Sequence, residues 1–173
     1  MPKLPALLEE LRDQHQRAHG WSLACCAWQQ DLAEDVLQEA YLRVLDGRAT
    51  FSGGSALTTW FYAVIRRVAS EQRRGAARRA ALNLRLVTEE PASTAAEDAA
   101  GALSVEARAD SLRAALLQLS ERQREVLHLV FYAEFTLEEA AQTLDITVGS
   151  ARTHYHRGKR RLAELLQLEQ DDD

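Results

Sequence analysis

Apolar residues recur at helical spacing along most of this chain, and the stripes they draw predict a succession of helices. Leu4, Leu7, Leu8 and Leu11 draw the first. A second segment, Gln14 to Trp28, interrupted near Gly20, adds Trp21, Leu23, Cys25, Cys26 and Trp28 to a core. From Asp31 to Asp46 one broad side carries Leu32, Val36, Leu37, Ala40, Tyr41, Val44 and Leu45. From Leu57 to about Arg79, Leu57, Phe61, Val64, Ile65 and Val68 form a buried stripe, while Thr59, Tyr62, Arg66, Arg67, Ser70, Arg73 and Arg74 project outward. Ser111 to Leu119 and Glu125 to Ala133 follow, the latter behind a capping box at Ser120 and Gln123 and with Val126, Leu127, Val130 and Phe131 turned inward.

The stretch from Thr136 to Leu162 is the most specific. Thr136 and Glu139 make a second capping box, so a short helix begins at Leu137 and stops near Leu144. Asp145 tolerates the left-handed turn better than most residues, and Thr147 can cap a further helix from Val148. At 100° per residue Val148, Ala151, Tyr155, Gly158 and Leu162 share one face of that helix, and Ser150, Thr153, His156, Arg157 and Arg160 point away. Residues 148–162 hold five basic side chains and no acid. A capped short helix, a tight turn and an acid-free basic helix together have the form of a helix-turn-helix whose second helix enters a DNA major groove. A solvated basic face on an ordinary helical hairpin is the competing reading.

Composition agrees with an all-α fold: three Pro and eight Gly in 173 residues, with abundant Ala, Leu, Glu and Arg. No apolar run reaches the ~18 residues that cross a bilayer, and the N-terminal MPKLPALLEELRDQ is too acidic for a signal peptide, so a cytoplasmic protein with no membrane insertion is expected. The net charge of −5 conceals segregation. Arg66 to Arg85 holds seven Arg against Glu71 alone; Leu86 to Asp110 holds six acids against Arg108. It is this local field that a phosphate backbone meets. The acidic segment, 85–110, reads as a linker between two small helical domains, 1–84 and 111–168, with an acidic tail at 169–173.

Candidate chemistry is of binding, not catalysis: the chain shows no Walker loop, no nucleophile with its base and no paired-carboxylate site, and it calls for no cofactor. Cys25 and Cys26 are adjacent, which suits a reducing compartment, and with His15 and His19 they could form a metal or redox site. Their spacing matches no zinc pattern, and small buried thiols are the commoner case. The solvent side of 31–46 sets Leu42 among Asp31, Asp35, Gln38 and Asp46, with Glu39 at its edge, the form of a docking face for a basic partner helix; an isolated exposed leucine is the alternative. The loop 47–56, with Gly53 and Gly54 between Phe51, Ser52 and Ser55, could approach a ligand or merely connect. The outward face of 57–79 mixes arginines, hydroxyls and Tyr62, which suits single-stranded or opened nucleic acid.

The blocks DLAEDVLQEAYLRVL, LTTWFYAVIRRVASEQRR and LSERQREVLHLVFYAEFTLEEAAQTLDITVGSARTHYHRGKRRLAELL, in this order, closely resemble the two domains of bacterial sigma-70 family factors in their minimal, extracytoplasmic-function (ECF) form. The resemblance implies a subunit that binds core RNA polymerase and directs initiation at particular promoters. It implies docking on the clamp helices of the largest polymerase subunit through Asp35, Gln38 and Glu39, on the docking face already read with Leu42 as its anchor, and the polymerase flap as a further contact. Capture of the melted −10 element would fall on Phe51, Ser52, Ser55, Thr59, Trp60, Tyr62, Arg66 and Arg67. Reading of the −35 duplex would fall on Ser150, Arg152, Thr153, His154, His156, Arg157 and Arg160. An anti-sigma partner is also implied, and the linker would thread toward the active-site and RNA-exit channels. Ala151 stands where a larger aliphatic is usual, His154 where Arg is common, and the loop SGGSA is less charged than the family's, which points to an atypical promoter sequence. A stand-alone LuxR-type regulator shares only the C-terminal motif, and a redox- or metal-sensing interaction protein would rest on His15, His19, Cys25 and Cys26.

Overall fold

The computed structural model describes residues 4–83 and 105–171, and all regular structure among them is helical. Four helices, α1 (Leu4–Asp13), α2 (His15–Cys25), α3 (Gln30–Leu45) and α4 (Leu57–Asn83), make an N-terminal unit. Four more, α5 (Val105–Leu117), α6 (Glu121–Phe131), α7 (Leu137–Leu144) and α8 (Val148–Asp171), make a C-terminal one. Most of the expected linker, 85–104, lies outside the described residues, as do 172 and 173 of the acidic tail. The remainder of that linker is the first turn and a half of α5, because its Ala, Glu and Arg residues are good helix formers once Ala115 and Leu116 have a core to join.

α2 runs unbroken through Gly20, contrary to the expected interruption. The absence of a side chain there admits the ring of Tyr132 from just beyond α6: a Cβ at position 20 would lie 2.8 Å from Tyr132 Cε1. The helix ends instead at Cys25. Trp28 N–H donates to the Leu23 carbonyl at 2.9 Å across Ala27, whose φ is 51°, a six-residue C-terminal turn of the kind that usually holds glycine. Ser22 donates to the Ala33 carbonyl at 2.5 Å and ties α2 to α3.

The two units share one apolar core. Trp21, Val36, Phe61, Ile65 and Val68 join Val126, Leu129, Ala140 and Leu144 in a single cluster, and α4 lies along α7. A satellite core of Ala115, Leu119, Leu127 and Leu165 holds α5, α6 and α8 together. With each fully buried aliphatic side chain contributing about 1.5–3 kcal/mol, the shared cluster holds the halves in one arrangement. Two inward assignments do not hold: Leu45 is exposed, and Phe131 is 60% exposed, stacked on Tyr155 at 5.8 Å on the surface. Leu129, one position round from the expected stripe, takes the core place.

Candidate nucleic-acid interface

The helix-turn-helix forms as its caps dictate. Thr136 Oγ1 accepts from Glu139 N–H at 3.2 Å and Glu139 Oε2 accepts from Thr136 N–H at 2.8 Å, satisfying two donors that a helix start leaves free. Asp145 takes φ 53° and ψ 53°, the left-handed turn that reverses the chain. Thr147 Oγ1 accepts from Ser150 N–H at 3.1 Å and starts α8. Ala151 and Gly158 are buried beneath α8; Gly158 sits so close to α6 that a Cβ would lie 3.0 Å from Gln123 Cβ. Ser150, Arg152, Thr153, His156, Arg157 and Arg160 are all exposed, and His154 is half-buried. Arg160 and Arg161 reach Glu164 at 3.8 and 3.3 Å, while Arg152 and Arg157 have no acid against them in the described ion pairs.

The α3 surface also stands as expected in outline. Asp35 and Gln38 are exposed and Leu42 is 45% exposed. Glu39 is the hub of a charge network: its Oε1 accepts from Arg43 at 2.9 Å and from Arg48 at 3.0 Å, and the Arg43 contact holds its carboxyl below the usual range. Beside this face runs an open groove lined by Leu23, Leu37, Tyr41, Leu42, Leu45 and, from the C-terminal unit, Tyr132.

α4 departs furthest from expectation. Arg67, Arg74, Arg78 and Arg79 are exposed, but Thr59 and Tyr62, expected on the outward face, are 2% and 1% exposed. Tyr62 is covered from both units. Tyr62 stacks on Trp21 at 5.8 Å and on Phe135 at 5.2 Å, and burial raises its hydroxyl pKa. Arg66 donates from Nε to Glu125 Oε1 at 2.9 Å. Phe51 and Trp60 remain half-buried and pack on each other at 5.3 Å, with Ser52 exposed and Ser55 partly so. Glu121, Glu125 and Phe135 were not singled out by sequence reasoning; the capping box placed α6, but no local signal pairs residues 59 positions apart.

The thiols are interior groups. Cys25 and Cys26 are buried, burial raises both, Cys26 to about 11, and the Cys25 carbonyl accepts from Arg73 at 2.5 Å. His15 pairs with Tyr41 at 3.3 Å. Among the described residues no group of three or more His, Cys, Asp or Glu could hold a metal ion.

An all-helical chain with an exposed basic recognition helix, an arginine-rich second helix and an acid-rimmed apolar face belongs to the class of DNA-binding transcription proteins that also dock on a protein partner. Comparison with known proteins narrows the class. The models for sigma-70 region 2 and sigma-70 region 4 match residues 10–79 and 109–162. The RNA polymerase sigma factor CarQ of Myxococcus xanthus is 32% identical over 135 residues, 78% of this chain and 75% of CarQ. The ECF sigma factor SigX of Bacillus subtilis is 31% identical over 153 residues, 81% of this chain and 75% of SigX. The sigma factor RpoE of Bartonella quintana, solved in complex with the anti-sigma factor NepR, superposes with a TM-score of 0.73 at 25% identity, covering 92% of this chain and 95% of that one. The chain belongs to the ECF class of the sigma-70 family. The region 2 match takes in α2, α3 and most of α4, which a stand-alone helix-turn-helix regulator does not need, and neither that reading nor the sensor reading is favoured.

Proposed function

We propose that this chain is a dissociable promoter-specificity subunit that divides its contacts among three surfaces. As a sigma factor it directs core RNA polymerase to promoters and has no catalytic chemistry of its own; phosphodiester synthesis belongs to the core enzyme. Asp35, Gln38, Glu39 and Leu42 on α3 dock on the clamp helices of the largest polymerase subunit, Leu42 as apolar anchor and the acids as rim. Ser150, Arg152, Thr153, His154, His156, Arg157 and Arg160 on α8 read the −35 duplex, the arginines suited to guanine edges and phosphates. Phe51, Ser52, Ser55, Trp60, Arg66 and Arg67 take the melted −10 strand, rings for bases and guanidinium groups for phosphates, while Thr59 and Tyr62, buried here, anchor the helix that presents them. The likeness to RpoE, solved with NepR, supports an anti-sigma partner for this chain as well. No described helix is long and apolar enough to cross a membrane. The chain acts beside polymerase, in the cytoplasm.

The observation that carries this reading is the α7–turn–α8 motif, whose buried face is Ala151 and Gly158 and whose opposite face is polar, basic and open, within a chain that also matches region 2. Adding the purified chain to core polymerase and sequencing the 5′ ends of transcripts from genomic DNA tests it: new, defined start sites are expected. Leu42→Arg with Asp35→Arg should abolish co-purification with core polymerase at unchanged helicity, and undiminished co-purification would remove the α3 assignment.

A further inference from the structure

The hydroxyls at the start of α8 bond to one another and to the backbone, and the pattern sorts what each can offer a base. Thr153 Oγ1 donates its one proton to the Gly149 carbonyl at 2.9 Å, back along the helix. Thr147 Oγ1 accepts from Ser150 N–H at 3.1 Å and donates to Ser150 Oγ at 2.9 Å, which leaves Ser150 its own proton to give. Ser150 therefore remains a donor, and Thr153 does not. Thr153 is exposed, so with its hydroxyl turned onto the helix the part it presents outward is the γ-methyl. Helical side chains lean over the turn before them, and there Gly149 has none: a Cβ would find only Thr147 Oγ1, at 4.0 Å, beyond its chain neighbours and the helix backbone. Thr153 thus borders an open notch, with Ser150 three positions before it and Arg157 four after, on the side away from buried Ala151.

We propose that Thr153 selects a thymine in the −35 duplex by methyl-to-methyl contact, the thymine C5-methyl seated in the notch beside Gly149. This rests on the reading of α8 as the −35 helix and assigns one of its residues a base. In the major groove thymine alone presents a methyl group, and an apolar contact distinguishes it. The polar alternative, accepting from an adenine or cytosine amine, uses an oxygen that is aimed back at Gly149. A methyl contact discriminates without a hydrogen bond, and losing it costs about one buried methyl group, or ~4-fold in affinity.

The probe is a promoter duplex found by sequencing transcript 5′ ends, with deoxyuridine replacing one thymine of the −35 element at a time on either strand. Uracil keeps every hydrogen-bonding group of thymine and lacks only the methyl. Anisotropy titrations with the full chain bound to core polymerase give the ratio of affinities for the thymine and uracil duplexes. The ratio should be about 4 at one thymine position for the wild-type chain. Thr153→Val, which keeps the methyl and has no hydroxyl, should retain it. Thr153→Ser, which keeps the hydroxyl and has no methyl, should bring it to about 1. A ratio near 1 at every thymine, one that survives Thr153→Ser, or one that Thr153→Val abolishes would overturn the assignment. The uracil series alters the DNA alone, so it decides the matter even where a variant loses helicity by circular dichroism. Absence of defined start sites would overturn the sigma-factor reading and this assignment with it, whereas defined start sites with −35 binding indifferent to uracil would overturn this assignment only.

Discussion

Trp21 and Tyr62 lie face to face, ring centroids 5.8 Å apart and planes 7° from parallel, and the indole Nε1–H donates to the Tyr62 carbonyl at 2.9 Å. The pair joins α2 to the second turn of α4 and is fully buried. Trp21→Ala removes the largest buried side chain and leaves a cavity, so unfolding free energy should fall by about 3–5 kcal/mol. Trp21→Phe retains a ring and loses chiefly the hydrogen bond and part of the volume, so it should fall by a smaller amount, about 1–2 kcal/mol. Urea denaturation followed by circular dichroism measures both. Equal losses would mean that ring packing contributes little.

At Asp145 the turn of the DNA-reading motif holds a non-glycine residue at φ 53°. Asp145→Gly relieves that conformation and should raise stability by about 0.5 kcal/mol, whereas Asp145→Val, β-branched, should lower it by about 1–2 kcal/mol. The denaturation midpoint checks the order. Duplex affinity should follow stability only in the Val variant.

Arg152 and Arg157 are exposed on α8 with no described acid against them, so their charge is available to phosphate or guanine. Arg152→Ala or Arg157→Ala should weaken binding of the holoenzyme to a promoter found by start-site sequencing. A guanine contact would cost about 1–3 kcal/mol, and a phosphate contact would make the salt slope shallower by about 1. Anisotropy titrations across salt concentrations distinguish the two. No change in either quantity would detach these residues from the DNA.

Glu125, buried, and His128, largely covered, lie near one another on α6 with opposite pH linkage. Burial raises Glu125 from the ordinary 4.5 to about 7, against the lowering by Arg66. The folded chain therefore holds a proton there that the unfolded chain has released, and this contribution to stability falls as pH rises from 4.5 through 7. Burial lowers His128 from 6.5 to about 4, its Nε2 buried without a partner between the Trp21 and Tyr132 rings. Here the unfolded chain takes the proton first, so stability falls as pH drops from 6.5 toward 4. Each term is on the order of 3 kcal/mol at its limit, and between pH 4.5 and 6.5 they oppose one another. Glu125→Gln should leave the histidine slope exposed, stability declining as pH falls below 6.5 more steeply than in the wild type. His128→Phe should leave the other, stability rising as pH falls from 7. Denaturation midpoints over pH 4–8 test both signs.

Much of the local structure was legible in the residues. The Thr136–Glu139 and Ser120–Gln123 boxes, the Asp145 turn and the open basic side of α8 follow from interactions within four positions, which a sequence displays directly. The start of α5 was hidden because Ala-rich acidic composition serves a linker and a helix equally well. The course of α2 through Gly20 was hidden because its reason, the Tyr132 ring, comes from more than a hundred positions away.

By itself, then, the order of residues determined eight helical segments in outline, their caps, an acid-free recognition helix and a leucine set among acids on α3, all properties of short-range periodicity and charge. Only the tertiary structure decided that Thr59 is buried, that Tyr62 stacks between Trp21 and Phe135, and that Arg66 meets Glu125 instead of facing solvent. A helix face is polar or apolar in sequence, but whether water, nucleic acid or another helix covers it depends on which distant surfaces bury the most area and pair the most charge together, and here Phe135 and Glu125 do both.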